Sequence, residues 1–225
     1  MDAELDRQSV MASRLRGFGP LGMLSWALVL GANLVVAPLG ALLVPLWAWL
    51  SRTPWRDLGF TRPKHLARDL VLGIAGGAAF KLVMKAVVMP LLGADPVNQR
   101  YHFLAGNTAA LPGMLLAVIL VAGVGEELVY RGFLFERLGK LLGPAPFARA
   151  AIVLTTALFF GSLHLREQGL AGAEQAFFTG SAFGLVYLHT RSLWPVMAAH
   201  AAFDVTAVLL IYRDLETTVA HWVFG

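Results

Sequence analysis

Cysteine is absent from the 225 residues, which excludes a disulfide framework, a thiolate nucleophile and any cysteine-based metal site. Charge is scarce as well. Only 14% of residues are Asp, Glu, Lys or Arg, against about 25% in an ordinary soluble domain. No His-Glu-x-x-His segment occurs, so the usual helical zinc-protease signature is missing. Hydrophobic residues make up 57% of the chain and the mean hydropathy is +0.66. These values describe an integral membrane protein. The net charge of +4 does not point to nucleic acid, because the basic residues lie mainly in short connections between apolar runs. In a membrane protein that pattern reports orientation and attraction to anionic lipid.

The expected architecture is all-α, a polytopic membrane bundle of about six to eight transmembrane helices. Residues 1–20 read as a mobile or interfacial tail in which Asp2, Glu4 and Asp6 mix with Arg7, Arg14 and Arg16. Residues 21–225 read as a single integral membrane domain, with its core at about 108–212. The first apolar run, Leu21 to Leu50, is too long for the h-region of a signal peptide and is expected to remain as an anchor. It is either one long tilted helix or two short segments broken at Pro38 and Pro45. Ser51 to Arg68 carries Arg52, Arg56, Arg62, Lys64 and Arg68, and the positive-inside rule assigns it to the cytoplasm.

The next span, Leu70 to Leu92, has Gly73 and Gly77 in the small-xxx-small spacing that lets helices approach closely. Lys81 and Lys85 share one face of it, where they snorkel, line the bundle interior or meet a substrate carboxylate. The run Leu111 to Val124 ends in Gly-Glu-Glu, and the mixed pattern from Glu126 to Leu142 predicts an amphipathic helix at the interface. Phe147 to Leu163, Ala171 to Leu188 and Leu193 to Tyr212 follow as three more apolar stretches. Glu174, near the start of one, reads as interfacial.

Polar clusters interrupt this apolar background at three places. They are Glu126, Glu127 and Arg131; His164 after Phe160; and His200 with Asp204. An ionisable side chain at the bilayer centre costs roughly 2.5–3.5 kcal/mol on insertion scales, so such groups face the bundle interior and mark function. Glu127 and Arg131 stand one helical turn apart and can pair, leaving Glu126 about 100° away around the helix. His200 and Asp204 have the same spacing, so a carboxylate can orient an imidazole. A single Glu–Arg pair or a single histidine would more simply be structural. His65, His102, His189 and His221 lack charged helical partners and read that way.

The three segments resemble the CPBP family, the CAAX prenyl endopeptidase and bacteriocin-processing intramembrane proteases, also called the Abi family. Its Glu-Glu-xxx-Arg, Phe-xxx-His and His-xxx-Asn-or-Asp patterns are met by Glu126-Glu127-Leu-Val-Tyr-Arg131, Phe160-Gly-Ser-Leu-His164 and His200-Ala-Ala-Phe-Asp204. Each occurs once, in that order, and Trp55-Arg-Asp-Leu-Gly-Phe60 also looks like the stretch before the second core span of many members. The resemblance implies hydrolysis of a peptide bond in or near the bilayer. Glu126 and His164 would activate water, His200 oriented by Asp204 would stabilise the oxyanion, and Glu127, Arg131 and Phe160 would support the geometry. Position 204 departs from the asparagine form of the pattern, since an ionised aspartate can only accept a hydrogen bond.

No cofactor is required by that chemistry. A zinc-dependent alternative uses Glu126, His164, His200 and Asp204 as ligands with one position left for water. A proton-coupled transporter or a silent membrane scaffold is the other class, although the paired halves expected of a transporter are not seen. The expected partners are a membrane-anchored peptide or protein and the lipid bilayer, with no nucleic acid, and the expected location is a bacterial cytoplasmic (inner) membrane.

Overall fold

The computed structural model describes residues 2–224, without the side chains of residues 2–7, Ala37 and Pro38. The acidic residues and Arg7 expected in the tail therefore lie outside the described side chains. The chain is an all-α membrane bundle, with no strand among the described residues. Helix α1 (Asp2–Arg16) precedes α2 (Pro20–Val35) and α3 (Ala37–Leu50). Four longer elements follow: α4 (Leu66–Leu91), α5 (Leu111–Leu142), α6 (Ala148–Thr190) and α7 (Leu193–Tyr212). A short α8 (Glu216–Phe224) ends the chain.

Among the described residues, these four helices are long and apolar enough to cross a membrane, or five if α2 is joined to Gln8–Arg16, from which it is bent by 62°. That is fewer than the six to eight expected from sequence. Two structural facts set the count. First, the run 21–50 is a hairpin of two short helices, and the break falls at Val36, whose backbone is extended (φ −146°, ψ 108°). The helix continues through Pro45, so only the first of the two anticipated breaks forms. Gly40 lies against Val29 and Asn33, so α2 and α3 are antiparallel and both ends of the hairpin return to one face. At 1.5 Å per residue neither arm reaches the roughly 30 Å of a hydrocarbon core.

Second, α6 is itself two helices. Its 43 residues turn at Gly169, which adopts φ 66° and ψ −166°, a region open essentially to glycine alone. The arms fold back on each other with Gly161 against Ala173 and Phe177, Gly180 against Ala157, and Gly184 against Val153. Each arm is long enough to span, which restores the two separate apolar stretches read from sequence and adds a crossing to the count.

The centre of the molecule is the parallel pair α4 and α7. A Cβ placed on Gly77 would sit 1.9 Å from the Ala199 carbonyl oxygen, and one on Gly73 would sit 2.5 Å from that of Pro195. The small-residue spacing thus lets two backbones touch immediately before His200. Helix α5 closes on the same helix through Gly123, whose Cβ would lie 2.7 Å from that of Ala201. The outward faces carry Leu28, Leu72, Leu120, Leu158 and Leu185, an apolar belt suited to lipid.

The amphipathic interfacial helix expected after Val124 does not form. Residues 111–142 are one continuous helix, Glu126 lies midway along it, and Glu127 and Arg131 are 0% and 1% exposed. Polar spacing imitates an interface here because the bundle supplies every buried charge with a partner. The backbone opens into wide i→i+5 turns over Val118–Glu126 and again over Leu128–Leu134, a rare geometry that collects at functional sites.

Candidate active site

Contact between α5 and α7 at Gly123 and Ala201 brings the two glutamates to His200. Arg131 Nη1 donates to Glu127 Oε1 at 2.7 Å, and His200 Nδ1 donates to the same oxygen at 2.6 Å. Arg131 Nη2 also donates to the Gly180 carbonyl at 2.9 Å, which ties α5 to the second arm of α6. The guanidinium lies 5.5 Å and 5.8 Å from the ring centres of Phe160 and Phe183, within cation–π range. Glu127 is therefore a shared acceptor that fixes an arginine and an imidazole at once.

With Nδ1 engaged, the other ring nitrogen of His200 turns toward two carboxylates. Nε2 is 3.4 Å from Asp204 Oδ2 and 3.8 Å from Glu126 Oε2. Sequence spacing assigns the orienting role to Asp204; the shorter bond is made by Glu127, from another helix. His164 is held differently. Its Nδ1 lies 2.8 Å from the Phe160 carbonyl, one turn back on its own helix. A carbonyl only accepts, so Nδ1 carries the proton and Nε2 is free. The Phe160 ring stacks edge-on against His164 with centres 4.6 Å apart and stands 6.1 Å from His200.

Glu126, His164, His200 and Asp204 all line one chamber of about 690 Å³. Glu127 and Arg131 lie behind its wall, buried. Lys81 also faces the chamber, where it donates to Gln175 at 2.8 Å and stands 4.9 Å from the Phe203 ring centre. Lys85, one turn on, is turned to Glu216 at 2.9 Å and to the Pro96 carbonyl. Both lysines line the interior, one of the three fates open to them from sequence. Tyr101, in the connection outside the spans, has its phenol pushed up from its ordinary range, first by burial and then by Glu167, so its O–H remains a donor at the chamber wall.

Sequence reasoning missed the Glu127–His200 bond, the Lys81–Gln175 contact and the Asn33–Tyr130 hydrogen bond of 3.0 Å that joins the first hairpin to α5. All three are tertiary contacts with no local signature. The remaining histidines anticipated as structural stay outside the chamber lining. Among the described residues no group of three or more His, Asp or Glu is arranged to hold a metal ion.

No curated protein and no solved structure matches the chain. Residues 108–206 do match a protein family, described as Type II CAAX prenyl endopeptidase Rce1-like. That segment begins just before α5 and ends within α7, so it encloses all three motif pairs and every carboxylate and imidazole gathered around His200. The match over residues 108–206 supports the assignment of that segment to the CPBP family.

Proposed function

We propose that the protein is an intramembrane endopeptidase that hydrolyses a peptide bond of a membrane-embedded or membrane-proximal substrate. The observation that carries this reading is the convergence of Glu126, His164, His200 and Asp204, from three separate segments, on one chamber. The family match supports the reaction class, since the matched description is that of an endopeptidase. Water sits between Glu126 and His164 Nε2, and Glu126 takes its proton as the oxygen attacks the scissile carbonyl carbon. The carbonyl oxygen becomes an oxyanion and receives a hydrogen bond from His200 Nε2–H. Collapse of the tetrahedral intermediate breaks the C–N bond, and the proton held by Glu126 passes to the departing amine. The carboxylate is thereby regenerated.

Glu127 gives this scheme its geometry. By accepting from Nδ1 it fixes the orientation of the His200 ring and the direction of Nε2–H, so that His200 acts as an imidazolium donating from both nitrogens, while Arg131 balances the charge of Glu127. Asp204, 3.4 Å from Nε2, accepts from the same proton in the resting site and releases it to the oxyanion. The glutamate mechanism is preferred to the zinc one on donor geometry. Among the described residues no group of three or more His, Asp or Glu is arranged to hold a metal ion, which favours testing the glutamate mechanism first.

The test compares wild type with Glu126→Gln on a panel of membrane-anchored peptides in detergent, with and without a strong chelator. Loss of a general base is expected to lower the rate about 10²–10⁴-fold. Cleavage by wild type that survives the chelator supports the glutamate mechanism. Equal cleavage by Glu126→Gln rejects it, and loss of activity restored by added zinc transfers the role to a metal.

A further inference from the structure

The chamber has an outer wall, and the fold determines which side of the membrane that wall faces. It is built from Asn98, Arg100 and Tyr101 in the connection between α4 and α5, with Glu167 and Gln168 beside the Gly169 turn. Helix α4 leaves the arginine-rich connection 51–68 and ends at Leu91, so residues 92–110 lie on the opposite face. Helix α7 runs parallel to it. The Leu193 N–H donates to the Gly59 carbonyl at 2.9 Å and Trp194 Nε1 to that of Thr61 at 3.0 Å, which fixes the start of α7 on the 51–68 face. Its other end is fixed by the Gly106 N–H, which donates to the Tyr212 carbonyl at 3.0 Å.

Charge separates these faces. Arg52, Arg56, Arg62, Lys64 and Arg68 are joined on the first by Arg14 and Arg16, held there through the bonds that Arg137 makes to the Arg16 and Gly17 carbonyls, and by Arg149 and Arg191 at the ends of α6. The second face has Arg100, Arg166 and Arg213 beside Asp95, Glu167, Asp214 and Glu216. Orientation follows the Lys and Arg excess of short loops, so the first face is cytoplasmic.

We propose that the chamber opens to the extracytoplasmic side, and that its substrate is a membrane-anchored polypeptide whose cleaved bond lies at the extracytoplasmic end of the anchor. The substrate half of this statement rests on the endopeptidase reading above; the sidedness does not. A lipid-modified C-terminus lying in the cytosol would approach the closed end of the bundle, where Leu58, Tyr187 and Leu193 pack under Gly59.

Because the chain has no cysteine, single-cysteine variants report without background. Gln99→Cys and Lys64→Cys place a thiol at exposed positions on the two faces, and Ala171→Cys places one in the chamber lining. Each full-length variant is treated in intact spheroplasts with a small membrane-impermeant thiol reagent, then again after permeabilisation. Expected is full labelling of Gln99→Cys and Ala171→Cys in intact spheroplasts, with Lys64→Cys labelled only after permeabilisation. The reverse pattern, or labelling of both faces from outside, overturns the sidedness. Labelling at Gln99 without Ala171 overturns the opening of the chamber to that side. Thiol labelling needs no activity and peptide cleavage in detergent ignores sidedness, so the two readings fail separately.

Discussion

Glu127 and Glu126 are neighbours with opposite duties, and single substitutions separate them. Glu127 is fully buried and holds Arg131 and His200 through one oxygen. Glu127→Ala leaves a 1%-exposed guanidinium without its carboxylate, a change that typically costs about 3–5 kcal/mol. A marked fall in the unfolding midpoint in detergent is expected, together with loss of cleavage. Glu126, whose side chain is 18% exposed at the chamber, should instead lose activity on conversion to Gln while the midpoint stays near that of wild type. An unchanged midpoint in Glu127→Ala would show that the buried pair contributes nothing to stability. The identities of the polar residues were legible from sequence because each motif has helical spacing on an apolar background. Which carboxylate holds His200 was not, since the partner lies 73 positions away on another helix.

Among the elements, the close approach of α4 and α7 and the turn in α6 are the most exacting. Gly77→Val would push a side chain into the Ala199 backbone, whereas Gly76→Ala on the same helix meets nothing within 4 Å. Gly77→Val is expected to abolish folding or activity, and Gly76→Ala to leave both unchanged, as read by gel filtration and peptide cleavage. At Gly169, substitution by Ala forces a non-glycine residue into a backbone region that costs of order 1–3 kcal/mol. The expected result is a lower unfolding midpoint with the chamber residues still reactive. The small-xxx-small pair was legible because it needs only spacing. The interfacial helix after Val124 was misread because three charges in six residues resemble a surface, and only packing distinguishes a paired buried charge from a solvated one.

At the scale of the whole molecule, α8 is tied down on the face where the chamber has its outer wall. Glu216 and Lys85 form a buried ion pair at 2.9 Å, and Glu216 also accepts from the Asn98 N–H at 3.1 Å, so one carboxylate joins α8, α4 and the wall of the chamber. Glu216→Ala should loosen all three, by about 3–5 kcal/mol for an orphaned buried lysine, while Lys85→Met combined with Glu216→Met should recover much of that stability. Thermal unfolding of the single and double variants measures the difference. The all-helical membrane class was legible from composition alone. The number of crossings was not, because the two short helices of the 21–50 hairpin produce the same apolar run as full spans.

The bond between His200 and Glu127 also orders the birth of the enzyme. Glu127 and Arg131 lie on a helix that enters the membrane during synthesis, and they can pair within that helix at once. His200 is translated 73 residues later, on the last of the long helices. Until that helix inserts, the chain holds a chamber wall without its imidazole, so the site is completed only after the three earlier long helices have been made.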